Sequence, residues 1–153
     1  MRILSILFIL LITVSCSRGP SAKDLFEEYL WQKRVMVLFS PSFDDPYYKQ
    51  QVQIINNNVA ALAERDLVVW VVVTHEAVIK EGKVLPHMGT PKFYRGFDMP
   101  AYKFGFVLLD KDGEEKLRVD KHLSIKEITS RIDAMPSRQK EIRENAQYFR
   151  SIK

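Results

Sequence analysis

Two apolar runs of strand length, residues 35–39 (VMVLF) and 67–73 (LVVWVVV), organise the first half of the chain. Runs that are apolar at every position, rather than at alternate ones, mark strands covered on both faces by helices. Between them Tyr48, Val52, Ile55, Val59 and Leu62 recur at alternating spacings of four and three, which is the stripe of one amphipathic helix. Asp45 is placed to cap that helix, and Pro46 fills its first position. Asn56, Asn57 and Asn58 are poor helix formers, but they lie mostly off the stripe. Two buried strands joined by a helix predict a right-handed βαβ unit, with residues 67–73 as a central strand.

The flanking segments extend this pattern. Residues 21–33 read as a first helix, with Ser21 as cap, Asp24 at the capping-box position, and Leu25, Phe26, Tyr29 and Leu30 on its apolar face. Residues 75–103, punctuated by Gly82, Pro86, Gly89, Pro91, Gly96 and Pro100, read as a long irregular connection. Residues 104–109 form a third strand, Lys111-Asp112-Gly113 a hairpin turn, and 115–119 a fourth strand. Ser124 and Glu127 make a capping box for a helix that turns Ile125, Ile128 and Ile132 inward. After a corner at Met135-Pro136, a last helix carries alternating charges on a solvated face and Ile142, Ala146 and Phe149 along one side.

A βαβ unit followed by a ββα unit is the thioredoxin-like order, so the expected fold is α/β: a central mixed sheet of about four strands flanked by helices. The resemblance extends to local motifs. Trp31-x-x-Arg34, Phe39-Ser40-Pro41-Ser42, Glu64-Arg65-Asp66-Leu67-Val68-Val69, Lys111-Asp112-Gly113 with Lys116-Leu117-Arg118, and Ile132-Asp133-x-Met135-Pro136-x-Arg138 resemble a bacterial family of unknown function. That family is similar to the thioredoxin-like module of animal sushi-repeat and coiled-coil matrix proteins. The resemblance covers approximately residues 25–145. It implies the thioredoxin-like fold and no settled activity.

The first residues belong to a different pattern. Arg2 precedes an apolar stretch over residues 3–14 that is interrupted by Ser5 and Thr13. At about 1.5 Å per residue it covers about 18 Å, short of the roughly 30 Å hydrocarbon core. A basic start, a short apolar run and small residues after it form a secretory signal. Thr13-Val14-Ser15-Cys16 resembles a bacterial lipobox, in which the cysteine is lipidated and becomes the mature N-terminus; Thr13 departs from the usual aliphatic residue there. The expected organisation is a signal over 1–15, a polar tether over 16–21 and a thioredoxin-like domain over 22–153. It places the protein in the cell envelope, lipid-anchored at Cys16 on the periplasmic face of a membrane, with diffusible secretion or a periplasmic location as the alternative. Ser17 after Cys16 is, by analogy with lipoproteins, a hint of sorting to an outer membrane.

Composition narrows the chemistry. At 46% hydrophobic and 27% charged residues the chain is that of a globular protein. A net charge of +4 is far from a nucleic-acid footprint, and export makes nucleic acid a poor partner. Cys16 is the one cysteine, so the domain can form no internal disulfide. In thioredoxins the loop after the first strand carries Cys-x-x-Cys at a helix start, which lowers the thiol pKa. Here Asp44 and Tyr47 stand in the places of the two sulfurs. Dithiol exchange, peroxide reduction and disulfide isomerisation all need a sulfur nucleophile, so the domain performs none of them.

Asp44, Asp45 and His75 are the candidate ligand site. Two carboxylates at an exposed helix start are ordinarily ionised and cap backbone N–H groups. His75 follows the central strand at the end where open α/β sheets place ligands, although a lone polar residue there is more commonly a strand terminus. His75, His87 and His122 lack metal-ligand spacing, and no residue pattern calls for a cofactor. Lys83, His87, Lys92, Tyr94, Arg95 and Phe97, interleaved along the long connection with Phe93, Tyr102 and Lys103, are candidates for binding an envelope protein or an anionic polymer. The competing role is a satellite core of aromatics beneath solvated lysines. Three functions follow: a non-catalytic binding or scaffolding module; a metal-assisted hydrolase using the 44–46 loop and His75; and a periplasmic holdase with an apolar patch beside Phe43, Tyr47 and Pro100.

Overall fold

The computed structural model describes residues 20–86 and 88–152. The signal expected over 1–15, the lipidation site Cys16, most of the tether and the candidate His87 lie outside the described residues.

Strands β1 (Arg34–Ser40) and β2 (Leu67–Val73) run parallel, in register from Arg34 opposite Leu67 to Ser40 opposite Val73. Successive side chains of a strand point to opposite faces. Val35, Val37 and Phe39 therefore join one core with Val68, Trp70 and Val72. Met36 and Leu38 join a second core with Leu67, Val71 and Val73. This two-sided burial is why both segments are apolar at nearly every position.

Among the described residues the sheet has six strands, in the order β4-β3-β2-β1-β5-β6, rather than about four. The two additional strands, β3 (Ala77–Lys80) and β4 (Lys83–Val84), come from the segment expected to be irregular, as does a short helix, α4 (Pro91–Gly96). His75, at φ 58°, turns the chain back so that Val78 pairs with Val72, antiparallel to β2. Glu81 and Gly82, at φ 47° and 78°, then supply the two left-handed residues that a tight hairpin turn requires. Strands this short show too few alternations to announce themselves. On the other side of β1, β5 (Gly105–Leu109) and β6 (Glu115–Val119) form the expected antiparallel hairpin.

One helix was expected between β1 and β2, and two are present: α2 (Pro46–Asn56) and α3 (Val59–Ala63). The break falls at Asn58, whose side-chain amide donates to the Ile54 carbonyl at 2.8 Å and so competes with the backbone. Ile55 and Leu62 stay buried, but Val59 is 60% exposed.

The first helix is also shorter than its stripe implied. After α1 (Ala22–Leu25), Phe26 leaves helical backbone at φ −125°, ψ 26°, and a single 3₁₀ turn spans Glu27–Tyr29. This path carries both Phe26 and Tyr29 onto Trp70, with ring centroids 5.2 and 6.3 Å away. Trp31, at φ 65°, donates its N–H to the Lys111 carbonyl at 2.6 Å and turns the chain into β1. The expected Ser21–Asp24 and Ser124–Glu127 capping boxes are both formed, the second at the start of α5 (Ile125–Asp133). Helix α6 (Pro136–Ser151) is the last described element. Among the described residues no helix is long and apolar enough to cross a membrane.

Candidate functional site at the carboxyl end of the parallel strands

Residues 40–48 lead from β1 into α2, and hydrogen bonds fix each step. The buried Ser40 hydroxyl donates to the Ser42 carbonyl at 2.7 Å, and the Ser42 hydroxyl accepts the Asp44 N–H at 3.2 Å. The Asp45 carboxylate accepts the Tyr48 N–H at 2.9 Å and caps α2. Asp44 points to solvent and meets Lys49 at 2.7 Å. That hydrogen bond and the lysine charge hold its carboxyl below the ordinary value. A helix start carrying these carboxylates repels anions and offers no thiolate.

His75 is exposed and lines a hollow of about 480 Å³ together with Glu76, Val84, Leu85, Met88 and Thr90. Neither Asp44 nor Asp45 contributes to that hollow. Among the described residues no group of three or more His, Cys, Asp or Glu side chains is placed to hold a metal ion.

Of the residues expected to face a partner, Tyr94 and Phe97 are inside the molecule, 9% and 2% exposed, because α4 turns them into the core that Val35, Val37, Phe39 and Trp70 form. Phe97 packs on Phe39, with centroids 5.3 Å apart. The Tyr94 phenol accepts from the Thr74 hydroxyl at 2.7 Å and donates toward the carbonyls of Ser40 and Val72 at 3.1 and 3.2 Å. Burial pushes this phenol above its ordinary pKa, and the hydrogen bonds from Thr74 and to Ser40 offset only part of that rise. The pair Tyr94–Thr74 thus latches α4 across the ends of β1 and β2. The solvated remainder of the connection carries Lys83 on the exposed β4, Arg95 on the outer side of α4 and Lys92 above the Phe93 ring at 5.3 Å, together with the exposed acids Glu76, Glu81 and Asp98. Tyr102, 75% exposed, is the aromatic that this surface keeps.

Sequence reasoning missed the polar cluster at the opposite end of the strands. Arg34 is fully buried. Its Nε donates to Asp110 at 3.0 Å, one Nη to the Arg65 carbonyl at 2.9 Å, and the other to Ser137 at 2.7 Å and Glu141 at 2.9 Å. Ser137 in turn donates to Asp110. Lys111 bridges Glu141 and Asp66, Arg65 grips Asp133 through two nitrogens, and Arg138 meets Glu64. Burial pushes the Glu141 carboxyl up, but hydrogen bonds from Arg34 and Lys111 outweigh it and hold the carboxyl below its ordinary value. For Asp133 the hydrogen bond from Arg65 is the main cause of a lowered value. The motifs scattered through residues 31–138 supply most of this cluster, and their convergence was the available signal. Gln51 was missed as well: fully buried, it exchanges hydrogen bonds with the backbone of Leu123, at 3.2 Å as donor and 2.7 Å as acceptor.

A last feature is apolar. Between α2–α3 and strands β2–β3 lies a groove of about 480 Å³ lined by Tyr48, Val52, Val59, Leu62, Val69 and Ile79 among others, Glu81 included.

Among curated proteins none matches the chain. Among solved structures it is similar to the thioredoxin peroxidase I of Plasmodium yoelii, at 16% identity and a TM-score of 0.53, over 75% of this chain and 79% of that one. It is also similar to a reduced 2-Cys peroxiredoxin of Plasmodium vivax, at 14% identity and a TM-score of 0.49, over 75% and 84% of the two chains. The first likeness shows a thioredoxin-like fold, in agreement with the strand and helix order. Residues 25–141 match the model of a domain of unknown function, DUF4174, and the chain belongs to that family.

Proposed function

We propose that the protein is a non-redox binding module of the bacterial cell envelope, built on a thioredoxin-like fold. The observation that carries this reading is the start of α2. There Asp45 caps the helix and Asp44 pairs with Lys49, where redox relatives of this fold hold thiols. With no cysteine after Cys16, thiol chemistry has no nucleophile in the domain. The binding surface is the one around β4 and α4 that carries Lys83, Lys92, Arg95 and Tyr102, and its partner is an anionic polymer. Heparin serves as the probe. Its binding to the full chain should weaken with salt and fall at least about tenfold in Lys92→Glu/Arg95→Glu, whose side chains are solvated enough to leave folding intact. Equal binding by the double variant overturns the assignment.

The lipobox-like segment supports attachment at Cys16. Intact mass of the membrane-associated protein should correspond to a chain beginning at Cys16 plus acyl groups, and Cys16→Ser should abolish it. A relation to the animal matrix modules rests on the motifs and the shared fold.

A second reading, holding of unfolded exported chains, is favoured by Phe43 and Tyr47, 39% and 46% exposed beside the α2 start. It expects suppression of aggregation of an unfolded reporter, lost in Phe43→Asp/Tyr47→Asp. Suppression unchanged by that variant removes it.

A further inference from the structure

Beyond Glu141 every described residue of α6 is exposed. At 3.6 residues per turn Ile142, Ala146 and Phe149 fall on one side together with the polar Asn145, and Tyr148 and the C-cap residue Ile152 lie toward one edge of it. Lys140, Arg143, Glu144, Gln147 and Arg150 fall on the other. The apolar members are far from buried: Ile142 41%, Tyr148 63%, Phe149 63% and Ile152 62% exposed. A segment this short is a marginal helix in water by itself, so an amphipathic pattern here serves a surface the helix meets. Its own body is not that surface, since the first turns of α6 are clamped by Arg34 and Glu64 while the rest stands in solvent.

The same chain carries a matching receptor. The groove between α2–α3 and β2–β3 is open and apolar, with Val59 at 60% exposure inside it and Glu81 among its lining residues. Arg143 and Arg150, two turns apart, border one edge of the α6 stripe and are complementary in charge to Glu81. Apolar anchors at helical spacing entering a groove is a recurrent mode of helix recognition. We propose that the protein self-associates by exchange of α6: the apolar face of its outer half docks in the α2–α3/β2–β3 groove of a second copy, and the second copy's arm returns to the first. Reciprocal exchange closes a two-fold dimer rather than an open chain. This association is independent of the binding surface around β4 and α4 and shares no residue with it.

Disulfide trapping tests it in cells expressing the full chain with Cys16→Ser, so that introduced thiols are the only ones. Val59→Cys co-expressed with a differently tagged Phe149→Cys should cross-link at least about tenfold more than either variant does with itself. Sedimentation of the full chain should show a dimer, and Val59→Glu and Phe149→Glu should each be monomeric. Both sites are exposed, so neither variant endangers the fold. A mixture of the two variants should regain a dimer, because one intact arm still meets one intact groove. A monomeric wild-type chain overturns the proposal. So does loss of the dimer in Phe149→Glu but not in Val59→Glu, or self-linking of Phe149→Cys as strong as the mixed pair. A monomer that Phe149 ties to phosphatidylglycerol vesicles would assign the arm to a membrane surface, and a groove occupied by a fatty-acid probe in that monomer would assign the groove to a small apolar ligand; either result overturns it as well.

Discussion

At the amino end of β1 a guanidinium is buried among carboxylates, whereas at the carboxyl end, around Ser40, the buried polar groups are neutral hydroxyls and carbonyls. Arg34, Asp110 and Glu141 hold one another through charge, and removing any of them strands a partner away from water. Ser40, Thr74 and Tyr94 form ordinary hydrogen bonds, and the charged residues nearby, Asp44 and Asp45, sit at the solvent boundary. The difference is one of tolerance. The carboxyl end, where thioredoxins keep their chemistry, can be altered without endangering the fold, while the amino end cannot.

Arg34→Met tests that contrast most severely. It should cost about 3–5 kcal/mol in urea unfolding, because Asp110 and Glu141 lose their buried counter-charge. Adding Asp110→Leu to Arg34→Met should recover part of the loss; a cost below about 1 kcal/mol for the single variant would abolish the distinction between the two ends.

Acid should act on the same end. Glu141, Asp66 and Asp133 are all held below their ordinary values in the folded protein. Groups lowered by folding stabilise it fully above the ordinary carboxylate range, and that stability drains as pH falls through the lowered values. Glu141→Gln should lower stability at neutral pH by about 1–2 kcal/mol and flatten the acid limb of a plot of unfolding free energy against pH. An unchanged acid limb would mean that other carboxylates dominate it.

Changes at the carboxyl end should be smaller. Tyr94→Phe should cost about 1 kcal/mol by taking a partner from Thr74 and the Ser40 carbonyl. Asp45→Ala should cost about 1 kcal/mol as a lost helix cap. Asp44→Ala should leave the melting temperature unchanged, since its pair with Lys49 is fully solvated. A marked drop for Asp44→Ala would place that carboxylate in the architecture instead of at its boundary.

How far each part could be read from the sequence follows from how local its determinants are. The runs at 35–39 and 67–73 are bounded by strong contrasts, and β1 and β2 extend them by at most one residue at either end. The capping boxes at Ser21 and Ser124 are short-range patterns and formed as expected. The α2–α3 break depended on a single amide, that of Asn58, choosing the Ile54 carbonyl. The hairpin β3–β4 depended on two left-handed residues, one of them the glutamate Glu81, a residue type with no turn signature. The aromatic residues of α4 could be seen as a cluster, but whether they faced water depended on the sheet lying beneath them. The Arg34 cluster was legible only as separate motifs, because its members come from β1, the α3–β2 turn, the end of β5 and α6. Asp44, Asp45 and His75 were legible as residues and as neighbours of strand ends, but the hollow beside His75 is built by the unexpected hairpin.

Among the described residues the six-stranded sheet ends in two borders, and both are unsuited to growth. At one, β4 is two residues long and carries Lys83. At the other, Glu115, Lys116 and Arg118 crowd β6 with charge, each already engaged in an ion pair. A strand arriving from another molecule would find a border too short to follow or would have to strip water from those charges. The fold therefore resists the fibrous, edge-to-edge stacking to which exposed β-structure is prone at high local concentration, as on a crowded surface.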